Sequence, residues 1–431
     1  MEFENVNMDN DTEIVQKEKK QKKGGFAKGV LTGTLGTLAV IVLVLTVFIN
    51  VLGNSLVIGP KVSGKEKNAS VLNSEVMGKI NELMGYIHLY FYDETESEKL
   101  ANGLYAGLLE GLDDVYSQYY TAQEYADMQI SATQNYCGIG AAMTQDRDTM
   151  QVTVSHVYEG SPAEAAGIRD GDMLVMVEDI EATSMELDEL VTHIRGDEGT
   201  VVHLQIYREG ETDFLDFAVT RAHIDLPTIE HKLLNGNIGY IQILDFGAPT
   251  SAQFASAVEE LKQQGMEAMI IDVRDNPGGM VTAVTEILDS ILPEGLTVYI
   301  QDKYGNKDEY TSDAENFMDM PMAVLINGNS ASASEILAGA IRDYEYGTLI
   351  GTKTYGKGIV QTIYPLGEGD AVKLTTAKYF TPNGENIHGT GIEPDIKLEF
   401  EYQGEITDTY DEMQDNQILK ALEVLESELA K

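Results

Sequence analysis

The chain has almost no cysteine. Cys137 stands alone among 431 residues, which excludes an intramolecular disulfide and a cysteine-based metal site. A lone thiol of this kind suits packing better than nucleophilic chemistry. Histidine is scarce as well: none of the seven is spaced H-E-x-x-H, so zinc-peptidase chemistry has no support. No S-x-x-K tetrad occurs, which sets aside the Ser–Lys acyl enzymes built on that spacing. Basic residues are few, 29 Lys and Arg against 71 Asp and Glu, for a net charge of −42. Six acidic and six basic residues cancel within the first sixty, so the excess lies entirely beyond residue 60. Such a body repels nucleic-acid phosphate and anionic lipid. No nucleic-acid partner is expected, and the acidity is read as solubility or habitat.

The length predicts two or three domains with appendages. Residues 1–29 are polar, end in a lysine cluster from Lys17 to Lys28, and read as a cytoplasmic tail. The run from Val30 to Val51 carries no charge. At 1.5 Å per residue it is long enough to cross a bilayer, with the lysines holding the N-terminus inside. No small-x-small cleavage site follows in 50–60, so an uncleaved anchor is favoured over a signal peptide. The expectation is therefore a single-pass cell-membrane protein whose body is extracytoplasmic.

Residues 52–130 read as a linker and then a helical N-terminal region. Ile80, Leu83, Met84, Ile87 and Leu100, Leu104, Leu108, Leu112 recur at helical steps. From 131 to 222 short strands alternate with turns such as Glu159-Gly160-Ser161-Pro162, with one helix near Ser184–Arg195. From 223 to 400 buried-type strands alternate with helices, and 401–431 reads as a C-terminal helical tail. The fold class is accordingly α/β and α+β multidomain.

The order Tyr136-Cys137-Gly138-Ile139-Gly140, Ser161-Pro162-Ala163-Glu164-Ala165-Ala166-Gly167-Ile168, Gly171-Asp172 and Ile194-Arg195-Gly196 resembles a PDZ domain of the bacterial protease type. The resemblance implies that the loop Gly138, Ile139, Gly140 offers backbone N–H groups to a substrate C-terminal carboxylate. The peptide would add as a strand, and its last side chain would lie against Leu187, Val191 and Ile194. Taken alone, a G-x-G is only a turn.

Three segments carry the chemistry. Asn327-Gly328-Asn329-Ser330-Ala331-Ser332-Ala333-Ser334-Glu335 follows a strand and opens a helix, where a nucleophile is exposed at a positive helix terminus. Read alone it is equally an N-cap serine cluster. Thr354-Tyr355-Gly356-Lys357-Gly358, followed by Gln361, places a lysine between glycines without the full phosphate-loop pattern. A lysine acting as base must be neutral, and burial drives it that way. Asp272-Val273-Arg274-Asp275-Asn276-Pro277-Gly278-Gly279 turns a buried strand into a helix, so that Gly278 or Gly279, with Ala333, can supply oxyanion-hole N–H groups.

Together these segments resemble the carboxy-terminal processing peptidases, also called tail-specific proteases, over roughly residues 75–400. The resemblance implies a crotonase/ClpP-like α/β core and a serine endopeptidase. Ser332 would be the nucleophile, Lys357, 25 positions on, the base, and Gln361 its orienting amide. Asp343 matches an acidic position read as structural, and His388 is read as structural rather than as a triad member. No cofactor and no metal are implied. The expected partners are peptides or proteins with apolar C-termini and the membrane, and the apolar helices suggest a homodimer. The main rival reading is a catalytically silent PDZ scaffold regulating extracytoplasmic proteolysis. A hydratase on the same superfold is a weaker one, because fold alone does not give function.

Overall fold

A computed structural model describes residues 71–404 and 410–431. The expected cytoplasmic tail and the span at 30–51 lie outside the described residues. Among those that are described, no helix is long and apolar enough to cross a membrane. The chain divides into two units, Met1–Phe91 and Tyr92–Lys431. In the first, helix α1 (Ser74–Tyr90) starts where the Asn73 side chain accepts the N–H groups of Glu75 and Val76. No α1 residue is buried, and Leu83, Tyr86, Leu89 and Tyr90 are exposed.

The second unit begins with α2 (Ser97–Glu110), the short strand β1 (Gln118–Tyr120) and α3 (Ala122–Thr133). Helix α3 opens on a capping box between Thr121 and Glu124. Strand β2 (Asn135–Gly138) leads into β3 (Ala141–Gln145), β4 (Val152–Val157), α4 (Pro162–Ala166), β5 (Met173–Val177), β6 (Ile180–Glu181) and α5 (Leu187–Ile194). Then follow β7 (Val201–Tyr207), β8 (Leu215–Thr220) and β9 (Ala222–Asp225). The sheet order is β3-β4-β5-β7-β8, with β6 on β5. Strand β7 alternates, with Val202, Leu204 and Ile206 inward, and they meet Val152, Val154, Leu174, Leu190 and Ile194 in one core. Strands β2 and β9 pair antiparallel, so the chain enters and leaves this domain through a two-stranded stem.

The remaining chain forms the larger layer. Its elements are β10 (Ile229–Leu234), β11 (Ile238–Ile243), α6 (Thr250–Gln263), β12 (Ala268–Asp272), α7 (Val281–Ile291), β13 (Gly295–Asp302), β14 (Lys307–Ser312) and β15 (Met322–Ile326). Helix α8 (Ala333–Asp343), β16 (Thr348–Gly351), β17 (Ile359–Pro365), β18 (Ala371–Phe380), β19 (Ile396–Lys397) and α9 (Asn416–Leu429) complete it. The main sheet runs β10-β11-β12-β15-β16-β19, parallel except for β10. Every residue of β12 and β15 is buried, as a parallel sheet covered on both faces demands. Met269, Ile271, Val324 and Ile326 face a core with α6, α7 and α8. Ala268, Ile270, Ala323 and Leu325 face Ile418, Leu422 and Leu425 of α9. The C-terminal segment, expected as a tail, thus closes one face of the sheet.

A second sheet, β1-β18-β13-β14 with β17 on β18, is antiparallel. The sequence pattern does not single it out. Its strands are mostly half-buried and show neither the apolar run nor the clean alternation that marks the others.

Candidate active site

Strand β15 delivers the chain to the turn at 327–332, and α8 leaves from it. Two of the three serines there serve the backbone. Ser330 is buried and donates to the Val273 carbonyl at 2.7 Å. Ser334 is buried and donates to the Asn276 carbonyl at 2.9 Å. Ser332 is half-buried and is the N-cap of α8, at φ 54° and ψ −112°. A serine at positive φ is strained, and such strain persists only where its surroundings enforce it. Tyr379 contributes by donating its hydroxyl to the Ser332 carbonyl at 3.1 Å.

The centre of the arrangement is Glu335, whose side chain is fully buried. Its Oε2 accepts the N–H of Ser332 at 3.0 Å and that of Lys357 at 2.8 Å. Its Oε1 accepts the Thr354 hydroxyl at 2.6 Å and the Gly356 N–H at 2.7 Å. One carboxylate therefore clips the serine turn to the lysine loop, and four hydrogen bonds satisfy its buried charge. A side chain at Gly358 would lie 2.5 Å from the His388 nitrogen, so only glycine lets the loop pass there.

The Lys357 amine is held below the usual lysine range. Burial is the first cause and the charge of Lys373 the second, with Glu335 opposing both. The ammonium lies 5.0 Å from the ring centroid of Tyr116. Gln361 follows a register shift between Val360 and Gln361 in the β17–β18 pair. The hydrogen bond its side-chain nitrogen makes goes to Thr375 Oγ1 at 3.3 Å, not to Lys357.

The glycine turn lies against this serine. A Cβ on Gly278 would sit 2.7 Å from Ser332 Cβ and 2.9 Å from the Ala333 nitrogen, and one on Gly279 would sit 2.4 Å from the Phe246 carbonyl oxygen. Gly278 has φ 109° and Gly279 φ 141°. Of the three expected oxyanion donors, Gly278 is engaged: its N–H donates to buried Asn276 Oδ1 at 2.8 Å. Among the described residues no acceptor takes the N–H of Gly279 or Ala333. Asp275 locks this turn to the serine turn, accepting from Asn327 at 3.0 Å and Asn329 at 2.8 Å. Those hydrogen bonds, Asn329 first, hold its carboxyl below the usual range.

The other expected residues are spread more widely. Asp343 pairs with Arg342 at 2.7 Å and accepts the Asn383 N–H, so it is structural. His388 is exposed. In the smaller domain Gly140 is left-handed at φ 75°, and β3 is an edge strand. Ile139 and Ile194 belong to the domain core, at 2% and 4% exposure, while Leu187 and Val191 remain half-buried. The Gln145 side chain ties β3 to the start of α5 through Met185 O and Leu187 N.

Motif reading missed the part played by Glu335, although its S-x-x-E spacing from Ser332 is a helix-start signal. It also missed Asp275, and it missed Tyr116, for which nothing local gives a cue.

Residues 237–398 match the model of peptidase family S41, and residues 153–208 match a PDZ domain. The chain is 34% identical to a carboxyl-terminal-processing protease of Synechocystis over 68% of its own length and 69% of that protein. It is also 34% identical to the carboxy-terminal processing protease CtpA of Bacillus subtilis, over 84% of its own length and 75% of that protein. Among solved structures, a photosystem II D1 C-terminal processing protease is 27% identical with a TM-score of 0.44, covering 74% of this chain and 86% of that one. The chain belongs to the carboxy-terminal processing proteases, serine-type hydrolases of peptidase family S41.

Proposed function

We propose that this protein is a membrane-anchored, extracytoplasmic endopeptidase that cuts with a Ser332–Lys357 pair and selects substrates by their apolar C-termini through its PDZ domain. The observation that carries the catalytic part is the Glu335 clip, which brings the backbones of Ser332 and Lys357 onto one carboxylate oxygen. Ser332 Oγ attacks the scissile carbonyl while neutral Lys357 takes its proton, and the lysine then protonates the leaving amine. The acyl-enzyme ester is hydrolysed by water, again with Lys357 as base. The open N–H groups of Gly279 and Ala333 suit the oxyanion, each worth about 100-fold or more in rate. Gln361 acts at one remove, through Thr375 and the β17–β18 pair.

The left-handed Gly140 beside edge strand β3 supports capture of a peptide carboxylate with strand addition. The uncharged run at 30–51 supports anchoring with the N-terminus in the cytoplasm. The exposed apolar side chains of α1 and α2, among them Leu83, Leu89, Leu104 and Leu108, support a homodimer.

A fluorophosphonate probe tests the nucleophile. Peptide mapping is expected to place the label on Ser332, with Ser332→Ala unlabelled and Ser330→Ala still labelled. Lys357→Ala is expected to lose cleavage while keeping its circular dichroism. Amidating the C-terminus of an apolar-ended substrate is expected to slow cleavage. Near-normal turnover by Lys357→Ala overturns the assigned base, and indifference to amidation overturns the PDZ role.

A further inference from the structure

The segment between α2 and α3 crosses the lysine loop. Asp114 accepts the Tyr116 N–H at 3.2 Å and the Ser117 hydroxyl at 2.6 Å, which tightens the turn. Ser117 Oγ in turn accepts the Thr375 N–H at 3.1 Å, and Gln118 pairs with Lys373 in the β1–β18 register. The segment is thus fixed to β18, the strand that also holds Gln361. From it the Tyr116 ring reaches the Lys357 amine, 5.0 Å from centroid to nitrogen. Tyr116 also neighbours Tyr355, two residues before that lysine. Tyr120, four residues on, accepts the Lys373 ammonium at 2.6 Å, so the second lysine is held by the same segment.

We propose that Tyr116 is a positioning residue for the reaction: its ring roofs the Lys357 amine, keeps bulk water from it and holds it in place for Ser332. The inference rests on Lys357 being the base. Two effects of the ring oppose each other. Its π face favours the protonated amine, weakly at a partly exposed site. Its bulk removes water and favours the neutral amine. Burial is the first cause of the lowered lysine, and a ring 5.0 Å from the amine adds to that burial, so water exclusion is taken as the ring's larger effect. The charged and titratable groups facing Lys357 are Lys373 from β18 and Glu335 from α8, with Tyr116 itself. Asp114 and Tyr355 adjoin Tyr116, and Tyr379 adjoins Glu335.

The test reads Lys357 in two ways on the full chain. The first is the acid limb of kcat against pH. The second is the pH midpoint of Lys357 acylation by acetic anhydride, followed by mass spectrometry in a Ser332→Ala background, which needs no turnover. Tyr116→Ala and Tyr116→Gln both admit water and are expected to move limb and midpoint upward by about one pH unit, a roughly tenfold loss of kcat on the acid side. Tyr116→Phe is expected to bring both back to within about half a unit of the unsubstituted protein. Should Tyr116→Ala fail to fold, the comparison of Gln with Phe decides. If Lys357→Ala is inactive but neither the limb nor the midpoint moves in Tyr116→Gln, the role of Tyr116 is overturned and the base assignment stands. If Lys357→Ala stays active, the base assignment fails instead.

Discussion

Glu335 Oε2 lies 2.8 Å from the backbone nitrogen of Lys357, a contact between residues on α8 and on the loop after β16. The same oxygen holds the Ser332 N–H, so Glu335 fixes the backbones of the two residues proposed as nucleophile and base relative to each other. Replacing it by alanine leaves three N–H groups and one hydroxyl unpaired in a site where the carboxylate was fully buried. Each such group costs about 1–3 kcal/mol. Glu335→Ala is expected to lose several kcal/mol in urea unfolding and nearly all activity. Glu335→Gln keeps the volume but turns an amide N–H₂ toward two of the donors. It is expected to fold, with kcat reduced far more than KM is raised. Equal kcat for Glu335→Gln and the parent would show that the clip is dispensable.

Lys357 gives a pH dependence of stability with a definite sign. Burial and Lys373 lower its folded-state pKa from 10.5, so between the two values the unfolded chain binds more protons. Stability therefore rises with pH through that window, and the protein carries a penalty below it. Lys357→Met removes the buried amine at similar length. It is expected to be more stable than the parent at neutral pH, with the advantage shrinking as pH approaches 10.5. Urea midpoints at several pH values check this, and a constant difference across the range would contradict a buried, depressed lysine.

The parallel sheet was legible because its strands are buried on both faces. Met322–Ile326 is an uninterrupted apolar run, and Ala268–Asp272 is one up to its last residue, each followed by turn residues. The serine turn was legible for the related reason that small residues crowd a strand-to-helix corner. What the sequence hid is long-range. The hydrogen bond from Asn329 to Asp275 spans 54 positions, and that from Thr375 to Ser117 spans 258. The Gly278 N–H read as an open donor because nothing in a glycine pair reveals that the Asn276 side chain, two residues earlier, turns back onto it. Ile194 read as a pocket residue because its helical face is apolar, yet one apolar stripe of α5 serves both the core and the surface beside it.

Asp415 gives a test of the C-terminal helix. Its carboxylate accepts the N–H groups of Gln417 and Ile418 at 2.7 and 3.2 Å, starting α9. It also pairs at 2.8 Å with Arg274, which holds Asp272 from the other side. Both carboxylates hold the guanidinium protonated, against a burial that works the other way. Removing Asp415 strips the buried guanidinium of one of its two carboxylates, and because Asp272 stays, the cost falls below the about 3–5 kcal/mol of a buried charge left wholly uncompensated. The lost cap adds about 1 kcal/mol. Asp415→Ala is therefore expected to destabilise the peptidase layer strongly and to expose the sheet face that Ile418, Leu422 and Leu425 cover. Faster hydrogen exchange in β12 and β15 and a lowered urea midpoint would register this. Asp415→Asn keeps a cap acceptor but drops the charge, so its loss is expected to be smaller by about the cap's share. If Asp415→Ala and Asp415→Asn unfold at the same midpoint as the parent, the ion pair contributes nothing, and α9 is held by its apolar face alone.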